Sequence, residues 1–174
     1  MDFDKPSSNH NRQLDHIEGN EASLLRMIKE GEHQKQDFKF RVDSSQKIAK
    51  TLSAFANTDG GKLLIGVKDN GRIAGIDPEE EYYMIDGAAA IYCKPQVEFH
   101  TTVYLSEEKL VLEIDVPPSN HRPHFAKDED QNWRAYIRQD DENFMANRVL
   151  LYYLRDKTPK SKRKGLIAYG KDER

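Results

Sequence analysis

The chain has 174 residues, 33% charged and 37% apolar, with a formal net charge of −3, which suits one polar domain with a real core rather than two. One cysteine, Cys93, excludes an intrachain disulfide framework and a cysteine zinc site, and the six histidines have no paired metal spacing. No apolar run approaches membrane-spanning length and the first thirty residues lack a signal-peptide core, so a cytoplasmic location without membrane contact is expected.

Residues 1–20 have little periodicity and read as a mobile segment. Residues 21–30 predict a helix, with Leu24, Met27 and Ile28 on one face and Gly31 ending it. Glu32 then falls in a loop. Residues 36–41 predict a strand carrying Phe38 and Phe40 on one face and Asp37, Lys39 and Arg41 on the other. Asp43 stands as a helix N-cap with Gln46 three residues on, and Ile48, Leu52, Phe55 and Ala56 recur at helical spacing. Asn57-Thr58-Asp59-Gly60-Gly61 ends that helix, residues 63–67 form a continuous apolar strand, and Asn70-Gly71 after Asp69 predicts a hairpin returning through residues 72–76.

Asp77-Pro78 starts a third helix that passes Ile85 and Ala89 and is over before Pro95, with Cys93 as a small buried hydrophobe near its end. Strands are expected over residues 96–105 and 109–116, the second with one buried and one mostly wet face. A Pro-Pro-Ser-Asn-His-Arg-Pro loop at residues 117–123 follows, then a hairpin of Phe125, the acidic turn 128–130 and residues 133–138. Asn143 is expected to cap a last helix running to Leu154, whose broad apolar set, from Phe144 and Met145 to Tyr153, packs on the sheet. From Arg155 to Arg174 eight Lys or Arg face three acids, leaving the rest of the chain at −8. This basic tail either anchors phosphates or is a solvated terminus. The expected architecture is α+β: one mixed, mainly antiparallel sheet of six or seven strands with three or four helices, a single domain over residues 21–156 between a mobile segment and the tail at 157–174.

The residues QDFKFR, AFANTDGGKLLIGVKDNGRIAGI and the later Pro-Ser-x-x-basic-Pro segment resemble the Schlafen-type divergent AlbA domain, at motif level over about half of the chain. The resemblance implies that three acids bind a divalent metal, Mg or Mn, and cleave transfer or ribosomal RNA. Position by position they are Glu32, Asp37 and Asp69, with Lys39 as the lysine after the phenylalanine. Asp37 stands where the family's nucleases carry glutamate. Gln139-Asp140-Asp141-Glu142 replaces the family's Gly-Ser-x-Thr turn. Family members with paired lobes imply a homodimer for a chain with one copy.

Without the resemblance, the plainer reading pairs Asp37 with Lys39 or Lys35 and leaves Asp69 to its turn. Lys35, Lys39, Arg41, Lys47 and Lys50, joined by Arg122, form a cation set suited to phosphates. Tyr136, Trp133 and Phe125 could stack bases, although Trp133 and Phe125 are more often core. No phosphate-binding glycine loop with the required spacing occurs, and His33 reads as a surface histidine rather than a proton shuttle. The leading expectation is a regulatory nucleic-acid-binding module acting on RNA or DNA; metal-dependent endoribonuclease is second, and a non-catalytic dimerisation or adaptor domain third.

Overall fold

The computed structural model describes residues 17–156, so the basic tail beyond Asp156 and most of the N-terminal segment lie outside the described residues. Helix α1 (Glu21–Glu30) leads into β1 (Gln36–Lys39), α2 (Ser45–Asn57), β2 (Gly61–Ile65) and α3 (Pro78–Ile91). Then come β3 (Cys93–Lys94), β4 (His100–Ser106), β5 (Lys109–Val116), β6 (Phe125–Lys127), β7 (Trp133–Gln139), β8 (Glu142–Met145) and α4 (Arg148–Asp156). The α+β class stands, but the strands divide into two four-stranded sheets, ordered β1-β2-β5-β4 and β3-β6-β7-β8. Among the described residues, only the β1–β2 pair is parallel.

Helix α2 is buried from Ile48 to Asn57, Lys50 excepted. A single apolar stripe predicts one covered side. Instead the helix lies against β6 and β7 as well as α3, and Ala49, Ser53, Ala54 and Ala56 are small enough to admit close neighbours all round. With Leu63, Ile65, Leu112 and Ile114 from the first sheet and Ile85 and Ala88 from α3, its residues form the main core.

The opposite face of the first sheet is also covered: Phe38, Leu64, Val67, Tyr104 and Val111 pack on Leu24 of α1. This corrects the wet face expected of β5, where Glu113 is buried and accepts from Tyr104 while Lys62 Nζ lies 3.0 Å from its Oε1. A carboxylate is tolerated there because both oxygens find partners. Burial and the neighbouring carboxylate push the Tyr104 hydroxyl well above its usual range.

Several local expectations move. β1 ends at Lys39, so Phe40 leaves the strand and is 50% exposed instead of following Phe38 into the core. The cap of α2 is Ser44, which accepts the Lys47 N–H, while Asp43 pairs with Arg41 at 2.7 Å. The Asn70-Gly71 turn closes through Lys68 N–H to Arg72 O and a single Val67–Ile73 bridge, not a laddered hairpin. Asp77 caps α3 as expected, accepting from Glu79 N and Glu80 N. At the N-terminus, Glu18 and Gly19 donate to Val103 O.

The largest correction is at the C-terminus. Asn143 does not cap a helix: residues 142–145 form β8 after a turn with Asp140 at φ 55°, and Asn147 accepts the Leu150 N–H at the start of α4. Of the apolar set expected to pack, Leu154 is buried, whereas Val149 is 76% and Tyr153 54% exposed.

Candidate functional site

The Asn-Thr-x-Gly-Gly turn is a clamp between the sheets. Asn57 Nδ2 donates to His124 O at 2.9 Å and Tyr136 O at 2.8 Å, and Oδ1 accepts the His124 N–H at 2.7 Å. Thr58 Oγ1 donates to Ala54 O and accepts from Arg138 N. Gly60 is at φ 74°, and a Cβ there would meet Val116 O at 2.6 Å, so the turn requires glycine. His124 is buried with Ser119 Oγ and Pro95 O at its two ring nitrogens, and burial lowers its pKa. This clamp joins the chain after α2 to β7, whose Arg138 reaches the start of β1.

β1 is an edge strand, with Asp37 in it and Glu32 in the loop before it. Glu32 Oε1 accepts the Phe38 N–H at 3.0 Å, occupying an edge donor that none of the described strands covers. Partial burial raises the Glu32 pKa above its ordinary 4.5; the neighbouring Asp37 carboxyl and the Asp69 charge add to the rise, and the Phe38 hydrogen bond opposes it. The fold therefore brings Glu32 beside Asp37, with Asp69 near enough to be felt. Asp37 is buried, 3.1 Å from Lys39 Nζ and 3.8 Å from Arg138 Nη2. Asp69 follows the exposed Lys68 in the turn.

Carboxylate oxygens suit Mg or Mn. Among the described residues, however, no three His, Cys, Asp or Glu side chains are placed to hold a metal ion. Lys39 supplies the positive charge at Asp37, so the donor set as arranged does not fit a divalent cation.

Glu32 binds its proton more tightly in the folded than in the unfolded chain. Its contribution to stability is therefore greatest below 4.5 and declines as pH rises through the raised folded value. Glu32→Gln keeps an acceptor for the Phe38 N–H and removes that decline. The melting temperature of the variant relative to wild type is expected to rise between pH 4.5 and neutrality; parallel melting profiles across that range would contradict the cluster.

The cations are dispersed. Lys39 joins Asp37, Arg41 joins Asp43, and Lys50 Nζ lies 3.1 Å from Glu129 and over the Tyr136 ring. Lys35 and Lys47 are exposed. Arg122 is half-buried and donates to Ala56 O and Thr58 O, so it braces the end of α2; burial lowers its pKa. His33 lies 3.5 Å from Glu30 and accepts the Lys35 N–H.

Two groups escape the sequence reading. Arg138 is 3% exposed and donates to His33 O, Gln36 O and Asn143 Oδ1. Its strand assignment gave no sign of burial, because arginine is rarely covered unless paired. Lys68 stands 5.8 Å from the Phe40 ring and Arg41 6.0 Å from it. Its position next to Asp69 was the available signal.

The class is thus an α+β domain of two sheets about a central helix, with an acid and cation cluster on an exposed strand edge. The chain belongs to the Schlafen AlbA_2 family, whose model matches residues 32–147. None of the curated proteins matches it. Among solved structures it is similar to the DIP2311 protein of Corynebacterium diphtheriae, at 21% identity and TM-score 0.53, over 87% of this chain and 29% of that one. It is also similar to the N-terminal domain of a putative ATP-dependent DNA helicase RecG-related protein of Nitrosomonas europaea, at 23% identity and TM-score 0.53, over 72% of this chain and 90% of that one. These likenesses are of fold.

Proposed function

We propose that this chain is a nucleic-acid-binding module of the Schlafen AlbA type, contacting phosphates at the end of β1. The observation that carries the reading is that Arg41 and Lys68 meet over one exposed ring beside Lys39, at the edge where Glu32, Asp37 and Asp69 gather. Asp37 and Asp43 hold Lys39 and Arg41 in place, which lowers the side-chain entropy lost on binding, and each cation keeps donors beyond the one used internally. The likeness to the N-terminal domain of a putative DNA helicase RecG-related protein accords with this reading.

Anisotropy with labelled RNA and DNA oligonucleotides tests it. Affinity is expected to fall steeply with salt, and Lys68→Ala is expected to lower the slope of log affinity against log salt by about one. Absence of any binding at low salt would refute the module.

A second reading, a metal-dependent endoribonuclease, takes its support from Glu32 standing beside Asp37, and would need Asp37 to exchange Lys39 for Mg or Mn. Cleavage of transfer RNA with Mn²⁺, lost in both Glu32→Ala and Asp69→Ala, supports it; uncleaved but bound RNA leaves the binding module. The exposed side of α4, with Val149 and Tyr152, favours a third reading as a dimerisation domain, which a dimer in light scattering without nucleic-acid binding would support.

A further inference from the structure

The outer face of the second sheet is basic, aromatic and open at one end. Residues paired across a ladder share a face, and alternate residues along a strand return to it. Lys94 pairs with Phe125, Phe125 with Ala135, Lys127 with Trp133, and Ile137 with Phe144. One face therefore presents Phe125, Trp133 and Phe144 together with Lys94 and Lys127. Trp133 is 39% and Phe144 43% exposed, and the ammonium groups of Lys94 and Lys127 stand 5.4 and 6.0 Å from the Trp133 ring centre.

The charge of this face is not cancelled. Neither lysine forms an ion pair among the described residues. The nearby acidic turn is largely spent elsewhere: Asp128 lies 3.0 Å from Arg134 and Glu129 3.1 Å from Lys50, leaving Asp130 exposed in the turn. At its other end Ile137 lines a pocket together with Leu150 and Leu154 of α4. Flat rings between uncompensated lysines complement a strand whose bases are free to stack and whose phosphates follow the cations. A duplex keeps its bases stacked inside and offers such rings nothing.

We infer that the Trp133 face is a second contact surface, which binds single-stranded nucleic acid by stacking an unpaired base on Trp133 and placing flanking phosphates at Lys94 and Lys127. The inference rests on the nucleic-acid reading above and specifies the strand state that this surface selects.

Trp133 is the chain's one tryptophan, so its emission reports this surface alone. Titration with a single-stranded oligonucleotide is expected to quench that emission, whereas a blunt duplex of the same sequence leaves it largely unchanged. In anisotropy, Trp133→Ala is expected to weaken single-strand binding about 10-fold, while Trp133→Tyr retains most of it. Lys94→Ala with Lys127→Ala is expected to reduce the salt slope by about 1.4, a check on exposed or half-exposed side chains should the alanine at 133 disturb folding. Single-strand binding with unchanged emission and an unchanged salt slope in the lysine variant would overturn this surface and leave the module at β1 standing. Failure of wild type to bind either strand form at low salt would remove both.

Discussion

Replacing Arg138 with alanine is expected to destabilise the domain by about 3–5 kcal/mol, the cost of breaking a buried, paired charge from one side. The guanidinium is 3% exposed, donates to His33 O, Gln36 O and Asn143 Oδ1, and lies 3.8 Å from Asp37. Its remaining Nε has no hydrogen-bond partner among the described residues, and the Phe55 ring lies 5.0 Å from the guanidinium carbon. Alanine would leave the His33 and Gln36 carbonyls with only each other's N–H, take from Asn143 Oδ1 the donor it has in Arg138, and leave Asp37 with Lys39 as its cation. Lysine keeps the charge but cannot reach three acceptors with one planar fork, so Arg138→Lys is expected to recover only part of the loss. Urea denaturation measures both; a loss below about 1 kcal/mol in the alanine variant would show that Arg138 does not hold β1 to β7.

Asn57→Ala is expected to cost about 2–5 kcal/mol, because three buried hydrogen bonds go and His124 N, His124 O and Tyr136 O are left dry. Asn57→Asp separates shape from chemistry: it keeps the acceptor for His124 N and points a carboxylate at two carbonyl oxygens. It is expected to lose at least as much, with the midpoint falling further as pH rises and the new side chain ionises. A stable aspartate variant would mean that the two sheets are held by apolar packing alone.

These residues also show where the chain was legible. The cap at Asp77-Pro78, the buried run into β2 and the Gly60-Gly61 turn are local, and their chemistry is complete within a few residues. β8 was missed because Glu142–Met145 has no apolar alternation and pairs only once β7 is in place. The capping position shifted from Asp43 to Ser44 because Arg41 takes the aspartate. The motif Asn57 signalled the family by type, but its task, bonding residues 67 and 79 positions on, is invisible in one dimension.

The candidate site divides in the same way. Sequence proposed Glu32, Asp37 and Asp69; folding sets Glu32 beside Asp37 at the β1 edge, with the Asp69 charge felt from its turn. The same folding puts Lys39 on Asp37, and sends Arg122 to the backbone of α2. Trp133, more often core by type, ends 39% exposed on the outer face of the second sheet, with Phe125 half-buried on the same face.

By itself the amino-acid order determined the start of α3 at Asp77-Pro78, the glycine turn, the family's motifs and the α+β class, since each follows from propensity and spacing over a few neighbours. The division into two sheets around α2, the burial of Arg138 and Glu113 and the exposure of Phe40 and Trp133 were decided only in three dimensions. The reason is that burial depends on which distant strand or helix arrives at a face, and a polar group can go inside only where such an arrival brings it a partner.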